Sequence, residues 1–372
     1  MARPSDIIVI GAGIVGCAVA YELARRGASV ELVDERPVGM GATQASADVL
    51  APYIEAREGS PLLGLTVRSL DLFDDLVARV SVDSGVAVPY RRTGTLDIAT
   101  TDAEMRALGA RAGLLLRHDV PAILLDAAAV RAEEPQIGDG AIGGLLIEAH
   151  GFVAAGELTR ALVAAARHYG AQLIEQRRVR RISERDGDIV IETDRGSLTG
   201  NAVVLAAGSW SGDMAIDGIT TPVPVRPVRG QLLSLAWTGT PLRRVTWSHG
   251  CYLVPWDDGT LLVGATVEDV GFDERTTVAG VRDLLDAACD LVPHTWASGF
   301  RGARVGLRPA TPDGLPVIGP SRAMPNLMYA TGHYRNGVLL APLTAQLVAD
   351  AMLEDKMDPM LSAVSPSRFG DL

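Results

Sequence analysis

Lysine is almost absent from this chain: the 34 basic residues include one lysine, Lys356. A lysine base, Schiff base or ammonium is therefore excluded from any site that the C-terminal segment does not reach. Cysteine is scarce as well. Cys17, Cys251 and Cys289 have neither metal-ligand spacing nor the density of a disulfide framework, which points to a reducing compartment and no metal site. Acidic residues outnumber basic ones, 45 to 34, for a net charge of −11. A nucleic-acid surface needs the opposite balance, so no nucleic-acid partner is expected. No apolar run reaches the about 18 residues of a membrane span, and no signal peptide precedes the first apolar strand. The expectation is a cytoplasmic protein with no membrane partner. With 372 residues, 48% hydrophobic and 21% charged, the chain has room for two domains around large cores.

What is present is concentrated near the start. Residues 7–16 read IIVIGAGIVG, an apolar β-branched run followed at once by G-x-G-x-x-G. Residues 17–27 then place Ala18, Val19, Tyr21 and Leu23 at helical spacing. A second apolar strand, 30–33, ends in Asp34, with Glu35 and Arg36 next. This is a dinucleotide-binding βαβ unit. Gly11 permits the tight turn, Gly13 lets backbone approach a pyrophosphate, and Gly16 lets helix and strand pack closely. Ala12, Ile14 and Val15 complete the turn and the helix start, whose free N–H groups attract phosphate. Asp34 can accept hydrogen bonds from a ribose diol, and its charge repels the 2′-phosphate of NADP. These residues leave NAD and FAD both open.

Further along, 39–52 (GMGATQASADVLAP) reads as a small-residue loop. Helices are predicted over 62–80, 102–116, 127–134, 156–169 and 278–291. Strands are predicted over 94–99, 172–175, 189–192, 202–205, 225–237, 251–255, 261–265 and 327–330, and a last helix begins at 337–340. Strand–helix alternation at both ends encloses a block that looks antiparallel. That pattern predicts an α/β fold with two interleaved domains. Residues 1–85, 145–220 and 305–372 would bind the nucleotide, and 86–144 with 221–304 would form a mixed-sheet α+β substrate domain.

Four segments carry a resemblance: the loop GATQASADVLAP, the strand and turn AVVLAAGSWSG at 202–212, GLRPATPDG at 306–314, and GHYRNGVLLAPLTA at 332–345. In this order the chain resembles the D-amino acid oxidase superfamily over essentially its whole length. Within it the chain is most similar to the glycine oxidase branch of thiamine biosynthesis. The resemblance implies a Rossmann-like FAD domain of the glutathione-reductase type, non-covalent FAD, and oxidation of glycine, sarcosine or a small D-amino acid. The products would be an imine or oxo acid and hydrogen peroxide, with O2 accepting the electrons. A homo-oligomer stays open.

Carried over by position, the resemblance makes Arg308 the carboxylate-binding arginine and Tyr252 its hydroxyl partner, with Arg335 beside the flavin. His249 is a further catalytic candidate, because imidazole suits general-base work. Hydride transfer from a neutral amine needs no such base, so a supporting place suits it better. Thr43, Gln44, Ala45, Ser46 and Ala47 would contact pyrophosphate or ring. Val179 would read the adenine, and Ala207, Gly208 and Trp210 would line the adenosine side. His333 would shape the turn beside the ring, and Asn336, Gly337 and Val338 would aim a helix N-terminus at the flavin N1–C2=O edge. Three positions depart from the pattern. Asp48 replaces a usual glycine, Trp256 stands where arginine is common, and Arg304 where tryptophan is common; the latter two are expected to flank the substrate wall. They put plain glycine specificity in doubt. A dehydrogenase that passes electrons to a quinone, an RNA-modifying flavoprotein and a flavin subunit dependent on partner chains remain alternatives.

Overall fold

The apolar run at the start forms the strand Ser5–Ile10, in the middle of a nine-stranded sheet among the described residues. The structure is a computed structural model and describes residues 5–54 and 59–372. Ile7 and Val9 enter one hydrophobic core, Ile8 and Ile10 another on the opposite face. A parallel strand is covered on both sides, so continuous rather than alternating apolar residues are what it requires. Val30–Val33 and Gly196–Leu205 pair with it in parallel on either side. Gln172–Ile174 and Leu327–Thr331 continue the parallel part, and Val179–Arg185 with Asp188–Thr193 add an antiparallel ribbon.

Helix Ile14–Arg25 packs against Ala155–His168 and Gly337–Glu354 on one face of this sheet. Gly337–Glu354 is, among the described residues, the one helix long and apolar enough to cross a membrane. It is mostly buried between the other helices, which accounts for its apolarity. Its buried Asp350 accepts a 2.7 Å bond from Arg26, tying two of these helices together.

A second, eight-stranded sheet runs in the order Gly299–Ala310, Arg226–Ala236, Thr260–Gly264, Tyr252–Pro255, Val245–Trp247, Thr95–Ala99, Gly143–Ile147 and Ile123–Asp126. It is antiparallel except where Thr95–Ala99 meets Val245–Trp247. Helix Val278–Leu291 covers it through Leu284, Ala288 and Leu291, which join Leu233, Leu253 and Val263 in one core. Val49–Leu50, Gly151–Val153 and Tyr90–Arg91 form a small third sheet.

The α/β fold is as expected, but several boundaries differ. The first helix starts at Ile14 rather than 17, because Gly13 is itself the residue that caps it. The helix expected over 62–80 is two, Pro61–Asp71 and Phe73–Ser84, broken at Leu72. The first half packs on Gly337–Glu354 and the second on Ala155–His168, directions that one straight helix cannot serve. Strand Gly299–Ala310, absent from the expectation, pairs along almost its full length with Arg226–Ala236. Its glycines and arginines hide the alternation of a strand. It also runs through the expected domain boundary at 304/305, and Gly143–Ile147 runs through the one at 144/145.

Candidate active site

A long cavity opens at the carboxyl ends of the parallel strands, where open α/β sheets receive ligands, and extends to the edge of the second sheet. Its first part is the glycine turn. Gly11 has φ 107°, and a Cβ there would lie 2.4 Å from the Ala206 carbonyl oxygen. A Cβ on Gly16 would lie 1.8 Å from the Gly11 carbonyl oxygen, so the helix stands directly on the turn. Gly11, Gly13, Ile14 and Val15 line the cavity. Ala12 and Gly16 do not: Gly16 is a spacer, and Ala12 is buried with its N–H given to Asp34 Oδ2 at 2.6 Å. Arg36 N–H donates to Asp34 Oδ1 at 2.8 Å. Burial nevertheless raises the Asp34 carboxyl pKa above its ordinary value.

Asp34, Glu35 and Arg36 line this end together with Val179, Ala207, Gly208 and Trp210. The Arg36 guanidinium lies over the Trp210 ring at 4.4 Å and donates twice to Glu274, at 2.8 and 2.7 Å. Arg177 and Arg178, which sequence reasoning passed over, line the wall beside Val179. The basic run at 177–181 was the signal for them. The turn Ala42–Ala45 docks on the first helix, where Thr43 Oγ1 accepts the Ile14 N–H at 3.1 Å. Thr43, Ala45, Ser46 and Ala47 line the cavity. Gln44 does not; its amide donates to Met40 O at 3.2 Å, and its own carbonyl accepts Arg304 at 2.9 Å.

The far end is built on two glycines that no motif announces. Arg308 stands opposite Val228 on the edge strand, and its guanidinium folds across Gly230, where a Cβ would be 2.4 Å from it. Its Nη1 donates to Thr266 O at 2.9 Å and Arg229 O at 3.3 Å. Burial, with Arg335 nearby, lowers its pKa from the usual guanidinium range, and Tyr252 opposes that shift. Tyr252 lies over Gly264, where a Cβ would be 2.3 Å from the ring, and stacks on Trp247 at 4.3 Å. Tyr252, Trp247, Arg308 and Arg335 all line the cavity, as does Tyr334, held at φ 49°. Trp247 and Tyr334 were missed, because tyrosine and tryptophan on a strand or turn read as core. His333 also lines it, with Nε2 3.0 Å from Thr344 Oγ1; burial pushes its pKa down to about 3, so it is neutral.

Asn336, Gly337 and Val338 line the cavity at the start of Gly337–Glu354. The first intrahelical bond is Leu340 N–H to Asn336 O at 2.7 Å. The preceding N–H groups therefore have no acceptor inside the helix and make a site for negative charge.

Three expectations are corrected. His249 does not line the cavity; it is exposed on the turn between Val245–Trp247 and Tyr252–Pro255. Hairpin geometry turns it away from Tyr252 despite their closeness in sequence. Trp256 packs edge-on against Phe152 at 4.7 Å, outside the cavity wall. Arg304 is exposed and bonded to the Gln44 carbonyl. Of the three departures from the resembled pattern, only Asp48 lines the cavity.

The donor set fits FAD. A Cβ at Gly13, at the helix start, would meet only Thr43 Oγ1 at 3.6 Å, and one at Gly208 nothing within 4 Å, so both leave open space on the cavity wall for a pyrophosphate or sugar, with Asp34 beside them. A model of the family described as FAD dependent oxidoreductase, DAO, matches residues 6–351. The chain belongs to this family. The DAO-family chain is 36% identical to the bifunctional protein ThiO/ThiG of Nostoc sp. over 98% of its own length and 55% of that protein. It thus spans about half the length of the first curated relatives it matches. Glycine oxidase of Geobacillus kaustophilus is 33% identical over 94% of this chain and 93% of that one. The crystal structure of glycine oxidase from that organism superposes with a TM-score of 0.94, at 32% identity and 99% coverage of both chains. Iminodiacetate oxidase from Chelativorans sp. superposes at 0.88, with 26% identity over 97% of this chain and 98% of that one.

Proposed function

We propose that this flavoprotein oxidises a small amine or amino acid that carries a carboxylate, of the glycine, sarcosine or D-amino acid type. Supporting the reading is the pair Arg308 and Tyr252 at the end of the cavity away from the glycine turn. A buried guanidinium matches a carboxylate in shape and charge, and Tyr252 adds a phenol hydroxyl beside it. Names of the relatives, glycine oxidase and iminodiacetate oxidase, accord with that class. FAD, when bound, supplies the hydride acceptor and a route for the electron pair to O2, giving an imine and hydrogen peroxide. Arg308 holds the substrate carboxylate, and removing water from this end strengthens that bond. The N–H groups at Gly337 and Val338 would stabilise negative charge on the cofactor. Asp34 and the glycine turn hold ribose and pyrophosphate, and the backbone at Val179 meets the adenine. No histidine base acts, since burial lowers the proton affinity of His333 too far for it to hold a proton and His249 lies outside the cavity. Segments 1–85, 148–220 and 311–372 form the cofactor part and 86–147 with 221–310 the substrate part, in a cytoplasmic enzyme.

Anaerobic mixing of the purified protein with glycine, sarcosine, D-amino acids and cyclic imino acids tests the reading. Bleaching of the flavin by a carboxylate-bearing amine is expected, followed by peroxide on admission of air. No bleaching by any of them overturns it, and recolouring only with a dye assigns a dehydrogenase instead. Lys356, exposed beyond the long helix, takes no part in oxygen use.

Non-covalent attachment, which the family resemblance implies, accords with a cavity lining that has Gly306 and no cysteine among the described residues. A Cβ there would lie 3.0 Å from Ala45 Cβ and 3.1 Å from Ala42 O, leaving no room for a larger side chain. Acid precipitation is expected to release all the flavin into the supernatant; a yellow pellet would contradict this.

A further inference from the structure

Asp48 ends the cavity-lining turn just before strand Val49–Leu50, with φ 69°. Glycine adopts that conformation freely and aspartate is one of the few other residues that tolerate it. Its backbone is fixed on both sides: the N–H donates to Ser46 Oγ at 3.0 Å, and the carbonyl accepts the Val153 N–H at 2.8 Å. The side chain accepts the Ala155 N–H at 3.1 Å, at the start of helix Ala155–His168. The residue lines the same cavity as Ala45, Ser46, Arg308 and the helix start at Gly337 and Val338.

Two charged neighbours act on this carboxyl. Arg304, on Gly299–Ala310, favours its ionised form, and Glu157, on Ala155–His168, opposes it. Gly151–Val153 and the first turns of Gly337–Glu354, also packed on Val49–Leu50, carry no ionisable side chain. Burial outweighs both the Ala155 N–H and Arg304 and pushes the pKa up to about 7. Near neutral pH the group is therefore balanced between charged and uncharged.

We propose that Asp48 is a proton acceptor coupled to the redox state of the cavity: it takes a proton from solvent when an electron pair arrives on the flavin and returns it on reoxidation. The inference rests on the FAD reading given above. The balance is simple. Hydride adds two electrons and one proton to the cofactor, while the Asp48 carboxylate and one solvent proton become a carboxylic acid. Reduction then takes up one proton more than the cofactor alone requires. The cause is electrostatic, since negative charge added to a low-dielectric cavity raises the proton affinity of a carboxylate lining it. Neutralising Asp48 lets the cavity with its helix N-terminus carry that charge without repulsion.

The flavin midpoint potential of the holoprotein, measured against pH without substrate, tests this. For a two-electron couple, each proton taken up shifts the equilibrium tenfold per pH unit, about 30 mV. Below about pH 7 Asp48 is protonated in both redox states, so wild type, Asp48→Asn and Asp48→Gly are expected to share one slope. Above it, up to the raised pKa of the reduced state, the wild-type slope is expected to be steeper than either variant by one proton. Asparagine keeps an oxygen for the Ala155 N–H and glycine suits φ 69°, so both variants are expected to fold. Wild-type and variant slopes that coincide at every pH overturn the proposal and leave the FAD reading intact. A purified chain that binds no flavin overturns both.

Discussion

Arg308→Ala is expected to lower kcat/KM for a carboxylate-bearing substrate by about 10²–10³-fold, because losing one partner of a buried charge pair costs about 3–4 kcal/mol. Flavin content is expected to stay full, since Arg308 lies at the end of the cavity away from the glycine turn. Stability is expected to hold or rise. In the free protein the guanidinium is buried with two backbone carbonyls as acceptors, and burial already lowers its pKa. The residue thus carries a desolvation cost that the two carbonyls and Tyr252 offset in part and a bound carboxylate offsets further. Arg308→Lys is expected to recover little, as an ammonium cannot make the paired contact of a planar fork. Steady-state kinetics with absorbance of the bound flavin and a melting curve checks all of this. Unchanged kcat/KM in a fully flavinylated variant would remove Arg308 from the site.

Gly16→Ala is expected to abolish FAD binding and lower stability by about 3 kcal/mol, the upper part of the range for overpacking. The added Cβ would sit 1.8 Å from the Gly11 carbonyl oxygen and 3.0 Å from its carbon. These are backbone atoms at the turn, so relief requires moving helix Ile14–Arg25 away from strand Ser5–Ile10. That movement opens the pyrophosphate cradle and disturbs the bond from Ile14 N–H to Thr43. Gly27→Ala is the control. Its φ of 98° is also unfavourable for alanine, but a Cβ there meets nothing within 4 Å, so it is expected to cost about 1 kcal/mol and leave flavin bound. Flavin titration of both apoproteins separates the outcomes, and a G16A protein that binds FAD like wild type would refute the close-packing account.

Legibility in the sequence followed the range of the interactions. The glycine turn, the first helix and Asp34 are close in sequence, and their roles depend on local backbone geometry, so periodicity and spacing exposed them. Strand Gly299–Ala310 was hidden because Gly299, Gly302, Gly306 and Pro309 interrupt its apolar pattern. It is held by pairing with a strand more than sixty residues earlier, as Arg226↔Ala310 and Gly230↔Gly306 show. Gly230 and Gly264 were invisible for the same reason: each matters only for the side chain that crosses it. His249 misled because nearness to Tyr252 in sequence says nothing about which way a hairpin turn faces.

By itself the sequence determined that this is an α/β chain with a dinucleotide turn, poor in lysine and resembling a flavin oxidase family. It did so because strand and helix periods and glycine turns are properties of neighbouring residues. The tertiary structure decided that the guanidinium of Arg308 crosses Gly230 and the ring of Tyr252 crosses Gly264 in the cavity that starts at Gly11. It also decided that Trp256 and Arg304 stand off the cavity wall while Asp48 lies on it. Burial and approach between distant segments set those outcomes, and neither is a property of a short stretch of chain.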